Sequence, residues 1–304
     1  MTEKIEIVER KVPWQGFQKI DGAATAEEAI QSALLDWNVS PQPLYCAGQM
    51  IEGRYGLVRD VDSKTLGFCG DWYRPVQNRE AFGFIENLVG EELSFDTVGS
   101  VHGGQRVFIS TKFNHNWNVN GDDINLYLLL SNSHSGTKSL QVAVTPVRVI
   151  CQNTLITAFK RAQRTWSMVH SNNLNDKLTD ARHCLQISAR YMNEFRIFGE
   201  QAAEKKVSDY TLEAALDYIF PVGDSDRAKK FREKKLEGFY KAYEAEDVKQ
   251  FRGTAWGFLN ATSDYETHYA KKSTDALMSA TLDGNQKLYQ KAQEFFGLGA
   301  FQKV

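Results

Sequence analysis

Hydrophobic and polar positions follow different periods in the two halves of the chain. Between residues 95 and 145, apolar and polar side chains alternate in short runs. Such alternation, interrupted by glycine-containing turns, is typical of antiparallel strands. The turns are at Gly103-Gly104, Gly121-Asp122-Asp123 and Ser135-Gly136. From Leu174 onwards apolar residues recur every three or four positions, which predicts helices. The pattern therefore predicts an α+β fold, with a central antiparallel β-meander that feeds a helix and a mainly helical C-terminal half.

The N-terminal region carries a shorter helical pattern. Apolar residues at helical spacing predict a helix over residues 23–37 with Thr25 as its N-cap, and Pro41 and Pro43 are expected to end it. Three parts are expected along the whole chain. They are a helical and irregular segment at 1–52, an α+β core domain with the meander and the junction helix at 53–200, and a helical region at 201–304.

Charge is distributed unevenly along the 304 residues, although the net charge is only -2. Residues 1–147 contain 12 Lys and Arg against 18 Asp and Glu, a net charge of -6. Residues 148–304 contain 24 against 20, a net charge of +4. The basic excess thus begins where the strand pattern becomes helical. This asymmetry is a mild indication of a polyanionic partner, and ordinary surface variation explains it equally well.

Cysteine spacing and the N-terminus indicate where the chain works. The four cysteines form no CxxC pair, which argues against a zinc ribbon or a disulfide framework, and reduced thiols in a cytoplasm are the natural interpretation. The charged N-terminus has no apolar h-region, and no apolar run approaches ~20 residues. We therefore expect neither a secretory signal nor a membrane span.

The most concentrated cationic signal lies where the predicted meander turns helical, in TPVRVICQNTLITAF at residues 145–159. Arg148 leads into this segment, and Asn153 can cap the following helix or donate to a phosphate. Trp117 belongs to a group of aromatic residues in the predicted sheet. Cationic tracks with stacking platforms are what sequence-independent single-strand binding needs. The cations that continue past the junction are Lys160, Arg161 and Arg164. The alternative is that the aromatic residues belong to the core and the cations to a solvated face.

A second basic block covers residues 227–241, with seven Lys and Arg against two Glu. It could touch a phosphate backbone. The exposed face of an amphipathic helix is the favoured interpretation.

The sequence carries no strong catalytic motif. The six histidines form no HxH, HExxH or HxxE pattern, and there is no Walker A sequence. Cys151 with a histidine is a conceivable nucleophile pair, but a buried inert cysteine at a strand end is commoner. The enzymatic alternative is a metal-dependent nuclease that uses His102, His134 and Asp122 or Asp123. No cofactor is predicted.

Several segments together resemble the phage/plasmid-like proteins, a family of domains of unknown function in mobile elements. The resemblance covers residues 53–285 and rests above all on TPVRVICQNTL at 145–155. The other matching segments are YGLVRDVDSKTLGF at 55–68, WYRPVQN at 72–78, GSVHGGQRVFI at 99–109, YLLLSNSHSG at 127–136 and GTAWGFLNATSDYETH at 253–268. The family is named for where its genes occur and implies no reaction.

The order of elements also resembles the core of phage single-strand annealing proteins of the Redβ, RecT and Erf kind. Those proteins form rings or helical filaments and hold single-stranded DNA in a groove between a β-hairpin and a helix. The resemblance implies hairpin-side DNA contacts at Arg106 and Lys112. It implies helix-side contacts at Arg148, Lys160, Arg161 and Arg164.

We therefore expect a non-enzymatic, ATP-independent single-stranded DNA-binding and annealing protein of a phage or plasmid. It would act as a homo-oligomer in the bacterial cytoplasm, with host or phage replication and recombination proteins as possible partners. The predicted DNA-binding residues are Arg148, Lys160, Arg161, Arg164, Arg106, Lys112, Trp117 and Asn153. The alternative is a protein-interaction accessory factor that acts on a host protein, in which Arg148 is a structural ion-pair residue.

Overall fold

A computed structural model describes residues 17–20, 25–86, 93–138, 140–148, 165–167, 174–270, 273–283 and 286–298. Within these residues, antiparallel sheets occupy the N-terminal half and most helices lie in the C-terminal half. This arrangement confirms the predicted α+β class. The junction helix predicted after the meander falls in residues 149–164, which lie outside the described residues.

The meander forms the centre of the larger of two sheets. The strands, in chain order, are β1 Gln18–Lys19, β2 Val39–Cys46, β3 Gln49–Arg59, β4 Thr65–Cys69, β5 Leu93–Val101, β6 Arg106–Val119, β7 Asp122–Ser133, β8 Gln141–Arg148 and β9 Thr165–Ser167. In the described part of the chain, the larger sheet has the order β1-β5-β6-β7-β8-β9 and the smaller sheet has the order β2-β3-β4. Neighbouring strands are antiparallel throughout both sheets. The consecutive order of β5 to β8 confirms the predicted meander.

The helices dominate the C-terminal half. They are α1 Ala26–Ser32, α2 Asn78–Glu86, α3 Leu174–Glu204, α4 Asp209–Ile219, α5 Asp226–Tyr243, α6 Glu246–Lys249, α7 Ala255–Asp264, α8 Thr274–Asp283 and α9 Lys287–Phe295. A π-helical turn at Tyr265–Tyr269 continues α7, and a 3-10 turn at His102–Gly104 joins β5 to β6. Among the helices described, none is both long and apolar enough to cross a membrane. The predicted segment boundaries at 52/53 and 200/201 fall inside β3 and α3.

Alternate residues of the larger sheet enter two different cores, because successive side chains of a strand point to opposite faces. On one face, Leu126 and Leu128 of β7 are fully buried in the cluster that includes Trp256 of α7. On the other face, Leu129 packs in a smaller cluster with Met278 of α8. The main core therefore lies between the sheet and the helical half, and α8 covers the opposite face.

The N-terminal elements show where local sequence signals succeed and fail. Thr25 caps α1 as predicted, since its hydroxyl accepts a hydrogen bond from the Glu28 N–H at 3.2 Å. The helix is shorter than predicted and ends at Ser32. Pro41 and Pro43 do not end a helix but lie within β2. Proline is tolerated there because β2 is an edge strand of the smaller sheet.

Candidate nucleic-acid interface

Arg148 is buried in an ion-pair network and does not face solvent. Its side chain is 0% exposed, and its Nε lies 2.6 Å from Asp122 Oδ2, whose side chain is also 0% exposed. Its Nη1 lies 3.0 Å from Asp247 Oδ2, and its Nη2 donates to the Asp247 carbonyl oxygen at 2.9 Å. The guanidinium is thus neutralised inside the protein. This placement corrects the expectation that Arg148 contacts a DNA phosphate.

The network around Arg148 joins two segments that carry the family resemblance. Arg148 belongs to the first segment, at 145–155, and Asn260 belongs to the second, at 253–268. Asn260 Nδ2 donates to Asp122 Oδ2 at 3.4 Å. Burial raises the pKa of the Asp122 carboxyl, and the Arg148 guanidinium opposes that rise. Because Asp247 lies in α6 and Asn260 in α7, the network fastens the end of β8 to the helical half.

Arg106 is the second predicted contact that the structure places inside the protein. It is 5% exposed, and its Nη1 donates to Asp283 Oδ1 at 2.8 Å while its Nη2 donates to Ser131 Oγ at 2.9 Å. Lys138 Nζ lies 2.7 Å from the same Asp283 oxygen. Burial works against ionisation of Asp283, but Lys138 and Arg106 outweigh it and lower the pKa of this carboxyl. Arg106 therefore holds the last residue of α8 against the sheet, contrary to the expected phosphate contact.

Lys112 and Trp117 keep part of their side chains at the surface of β6. The Trp117 ring packs edge-on against Phe113, with ring centroids 5.6 Å apart, and lies 4.0 Å from the His115 ring centroid. Lys112 forms no ion pair with another described residue. Among the predicted DNA-binding residues that the structure describes, Lys112 and Trp117 are the two at the surface. The predicted contacts Asn153, Lys160, Arg161 and Arg164 lie outside the described residues.

A different cationic surface stands out on the first turns of α5. Arg227, Lys230 and Lys234 are exposed and line a groove of about 690 Å³ whose described lining comes from α5 and its N-cap Ser225. Their spacing of i, i+3 and i+7 places them on one helix face. Phe231 lies on the same face, with 61% of its surface exposed. We call these four residues the α5 face.

The cations of the α5 face differ from their neighbours on the same helix. Arg232 pairs with Asp217 and donates to the Phe220 carbonyl oxygen at 2.7 Å, and Lys241 pairs with Glu237 at 2.8 Å. By contrast, the three cations of the α5 face form no ion pair with any residue that the structure describes. The helix N-terminus adds a partial positive charge at the Ser225 end, where Asp226 of the first turn places one negative charge in the lining of the groove.

The α5 face was assigned to a solvated helix surface from its sequence. The sequence gives no signal that separates it, because Glu233 and Glu237 follow Lys230 and Lys234 at i+3 spacing and share this side of the helix with them. Only the structure shows that the three cations are exposed and form no ion pair with a described residue.

The residues of the proposed nuclease alternative do not come together. Asp122 begins β7, whereas His134 follows its last residue, so an extended strand separates them by roughly 40 Å. His102 is engaged by α8, because its N–H donates to Asp275 Oδ2 at 2.7 Å and its Nε2 lies 2.7 Å from Ser279 Oγ. Within the described ranges, no group of three or more His, Cys, Asp or Glu residues is placed to hold a metal ion.

His134 is a core histidine. It is 1% exposed, and its Nε2 lies 2.8 Å from Asn78 Oδ1. The Asn78 side-chain nitrogen donates to the Leu35 carbonyl oxygen at 2.9 Å, which leaves its oxygen as the acceptor for His134. The Trp37 ring lies 5.0 Å away. Burial, assisted by the charge of Arg59, lowers the pKa of His134 to about 4.

Comparison with known proteins identifies the family and gives no activity. A family model described as a domain of unknown function (DUF932) matches residues 65–293, from the first residue of β4 into α9. No curated protein and no solved structure matches the chain. The matched region includes the Arg148 network and the α5 face. Since the model covers most of its length, the chain belongs to the DUF932 family of domains of unknown function.

Proposed function

We propose that the chain binds single-stranded DNA without ATP and promotes annealing of complementary strands, with the α5 face as its phosphate-binding surface. The observation that carries the proposal is the stripe of Arg227, Lys230 and Lys234, which are exposed and unpaired among the described residues. Like charges three or four residues apart on a helix repel one another by a few tenths of a kcal/mol per pair. A bound polyanion removes this repulsion and releases counterions.

The exposed ring of Phe231 favours binding of single-stranded DNA over duplex DNA. Its exposed ring lies among the three cations, and Lys235 Nζ lies 4.5 Å from the ring centroid. An unpaired base can stack on such a ring, and base–aromatic stacking contributes about 1–3 kcal/mol per base. A duplex keeps its base faces covered, so it would gain only the phosphate contacts.

Annealing requires that two bound strands be presented to each other. We therefore propose that the working form is a homo-oligomer in the cytoplasm of a bacterium that carries the phage or plasmid. Two surfaces, one per copy, then hold complementary strands by their phosphates and leave the bases accessible. Lys112 and Trp117 on β6 remain candidates for additional contacts.

The first prediction compares two matched pairs of lysines. Lys230→Ala with Lys234→Ala removes two cations of the α5 face, whereas Lys287→Ala with Lys291→Ala removes two exposed lysines of the same i, i+4 spacing on α9. Fluorescence anisotropy with a labelled single-stranded oligonucleotide should show about tenfold weaker binding for the first variant and little change for the second. Equal effects of the two variants, or no binding by the wild type, would contradict the proposal.

A protein-interaction role is the second candidate, and exposed apolar side chains on β4 and in the turn that follows it favour it. Trp72 is 100% exposed, and Phe68 of β4 is 63% exposed. Exposed aromatic residues of this kind are common at protein interfaces. A wild-type chain that binds no oligonucleotide at low salt would favour this role over DNA binding.

A further inference from the structure

The hairpin of β2 and β3 extends past the end of β4. The last pairing of β3 with β4 is Tyr55 with Cys69, whereas β2 and β3 stay paired as far as Cys46 with Gln49. Residues 44–54, here called the arm, therefore have β-ladder partners only within the hairpin. Nine of these eleven residues are exposed, while Leu57 farther along β3 is fully buried.

The arm carries apolar side chains that have no core to enter. Tyr45 is 66% exposed, Met50 is 54% exposed and Ile51 is 42% exposed. Tyr45 and Met50 are direct cross-strand partners and share one face of the hairpin, whereas Ile51, next to Met50 on β3, lies on the other face. A two-stranded hairpin is at best marginally stable by itself in water. Clustered exposed apolar residues on such an element indicate a surface that is covered in an assembly.

The edge of β2 next to the arm is unsuited to strand addition. Pro41 and Pro43 cannot donate an N–H there, which disfavours further backbone pairing over that stretch. Within the arm, the exposed apolar and charged side chains are the groups that a partner would have to complement.

The charges of the arm complement themselves. Glu52 and Arg54 are both exposed, lie two residues apart on β3 and form no ion pair with any residue in the described ranges. In a two-fold contact, residue i of one copy meets residue j of the other and the reverse. Glu52 of each copy can then face Arg54 of its partner, which forms two ion pairs around Gly53. A second copy of this chain supplies both complementary charges and matching apolar groups.

We propose that the arm is a two-fold contact surface between two copies of this chain, with Tyr45 and Met50 at its centre and the Glu52–Arg54 pairs at its rim. The contact closes at two copies, so a ring or filament would need another interface. The proposal does not depend on DNA binding. The arm, at residues 44–54, precedes the region matched by the family model.

Charge exchange tests the proposal on the full-length chain. Glu52→Arg and Arg54→Glu each place like charges across the two-fold contact, so sedimentation equilibrium should show a dimer dissociation constant at least tenfold higher for each. The double variant Glu52→Arg with Arg54→Glu restores opposite charges and should recover the wild-type constant. An equimolar mixture of the two single variants should form a heterodimer, because each copy complements the other.

Two further variants separate the arm from general effects of charge and hydrophobicity. Glu204→Arg makes the same charge change at an exposed site on α3 and should leave the dimer constant unchanged. Met50→Asp should abolish the dimer while far-UV circular dichroism stays the same, since the tip has no role in the core. A wild-type chain that stays monomeric at all concentrations overturns the proposal. It would indicate that the arm binds a different protein. A dimer that withstands both charge variants overturns it as well.

Discussion

Arg148 and Asp122 form a fully buried ion pair at the end of β8. Removing one partner of such a pair leaves an uncompensated charge in the core, whereas removing both is often tolerated. The structure therefore assigns Arg148 to folding, and its loss should lower stability before it affects any ligand. The sequence offered a structural ion pair for Arg148 only as the alternative and named no partner for it, because the second carboxylate, Asp247, lies 99 residues away along the chain.

Arg148→Met should destabilise the chain by about 3–5 kcal/mol because it leaves the Asp122 carboxylate buried without its ion-pair partner. The double variant Arg148→Met with Asp122→Asn should recover part of this loss. Urea unfolding followed by circular dichroism measures both. Lys241→Met, which removes an exposed pair with Glu237, serves as the control and should change the stability little, because solvent screens an exposed pair. Equal losses for Arg148→Met and Lys241→Met would refute the assignment.

His134 makes stability depend on pH below neutrality. Its pKa is about 4 in the folded chain against 6.5 when unfolded, so the unfolded state takes up the proton first as the pH falls. His134 does not lower the free energy of unfolding above pH 6.5, and it lowers that energy progressively as the pH falls to 4. The loss amounts to about 3 kcal/mol over this window.

The unfolding free energy of His134→Gln should vary less over this window than that of the wild type. Glutamine retains an N–H that can donate to Asn78, and it does not titrate. Urea midpoints measured at pH 7, 6, 5 and 4 for both chains give the comparison. Parallel curves for the two chains would show that another group carries the pH dependence.

At the scale of elements, the sequence pattern predicted the strands and helix starts that local residues determine. The alternation between residues 95 and 145 predicted the meander, and Thr25 predicted the start of α1. The local sequence could not predict the structure around Pro41 and Pro43, because proline both ends helices and occupies edge strands. Which of the two applies depends on pairing with β3, which is a tertiary contact.

The basic residues illustrate the same limit. Arg106 looked available in sequence, but Asp283 of α8 reaches it from 177 residues away and neutralises it. The α5 face looked like an ordinary solvated surface, yet its three cations form no ion pair among the described residues, although Lys234 adds to the effect of Lys241 in lowering the pKa of Glu237. Charge counts locate basic segments, whereas only the packed structure shows which charges are already paired.

For the whole molecule, the acidic β-rich half and the basic helical half are joined through the Arg148 network and a shared core. The family match spans this joined unit from β4 to α9. The proposed functions use its periphery: the α5 face for a nucleic-acid strand and the arm for a second copy. Folding and proposed binding thus fall on different residues, so variants of the two surfaces should leave stability almost unchanged.

The salt dependence of single-stranded DNA binding tests the α5 face most directly. If Arg227, Lys230 and Lys234 each neutralise one phosphate, the slope of log K against log salt is about -2 for the wild type, and it is about -0.7 for Lys230→Ala with Lys234→Ala. The α9 control Lys287→Ala with Lys291→Ala should retain the wild-type slope. A wild-type slope near zero, or identical slopes for wild type and the α5 variant, would contradict the account.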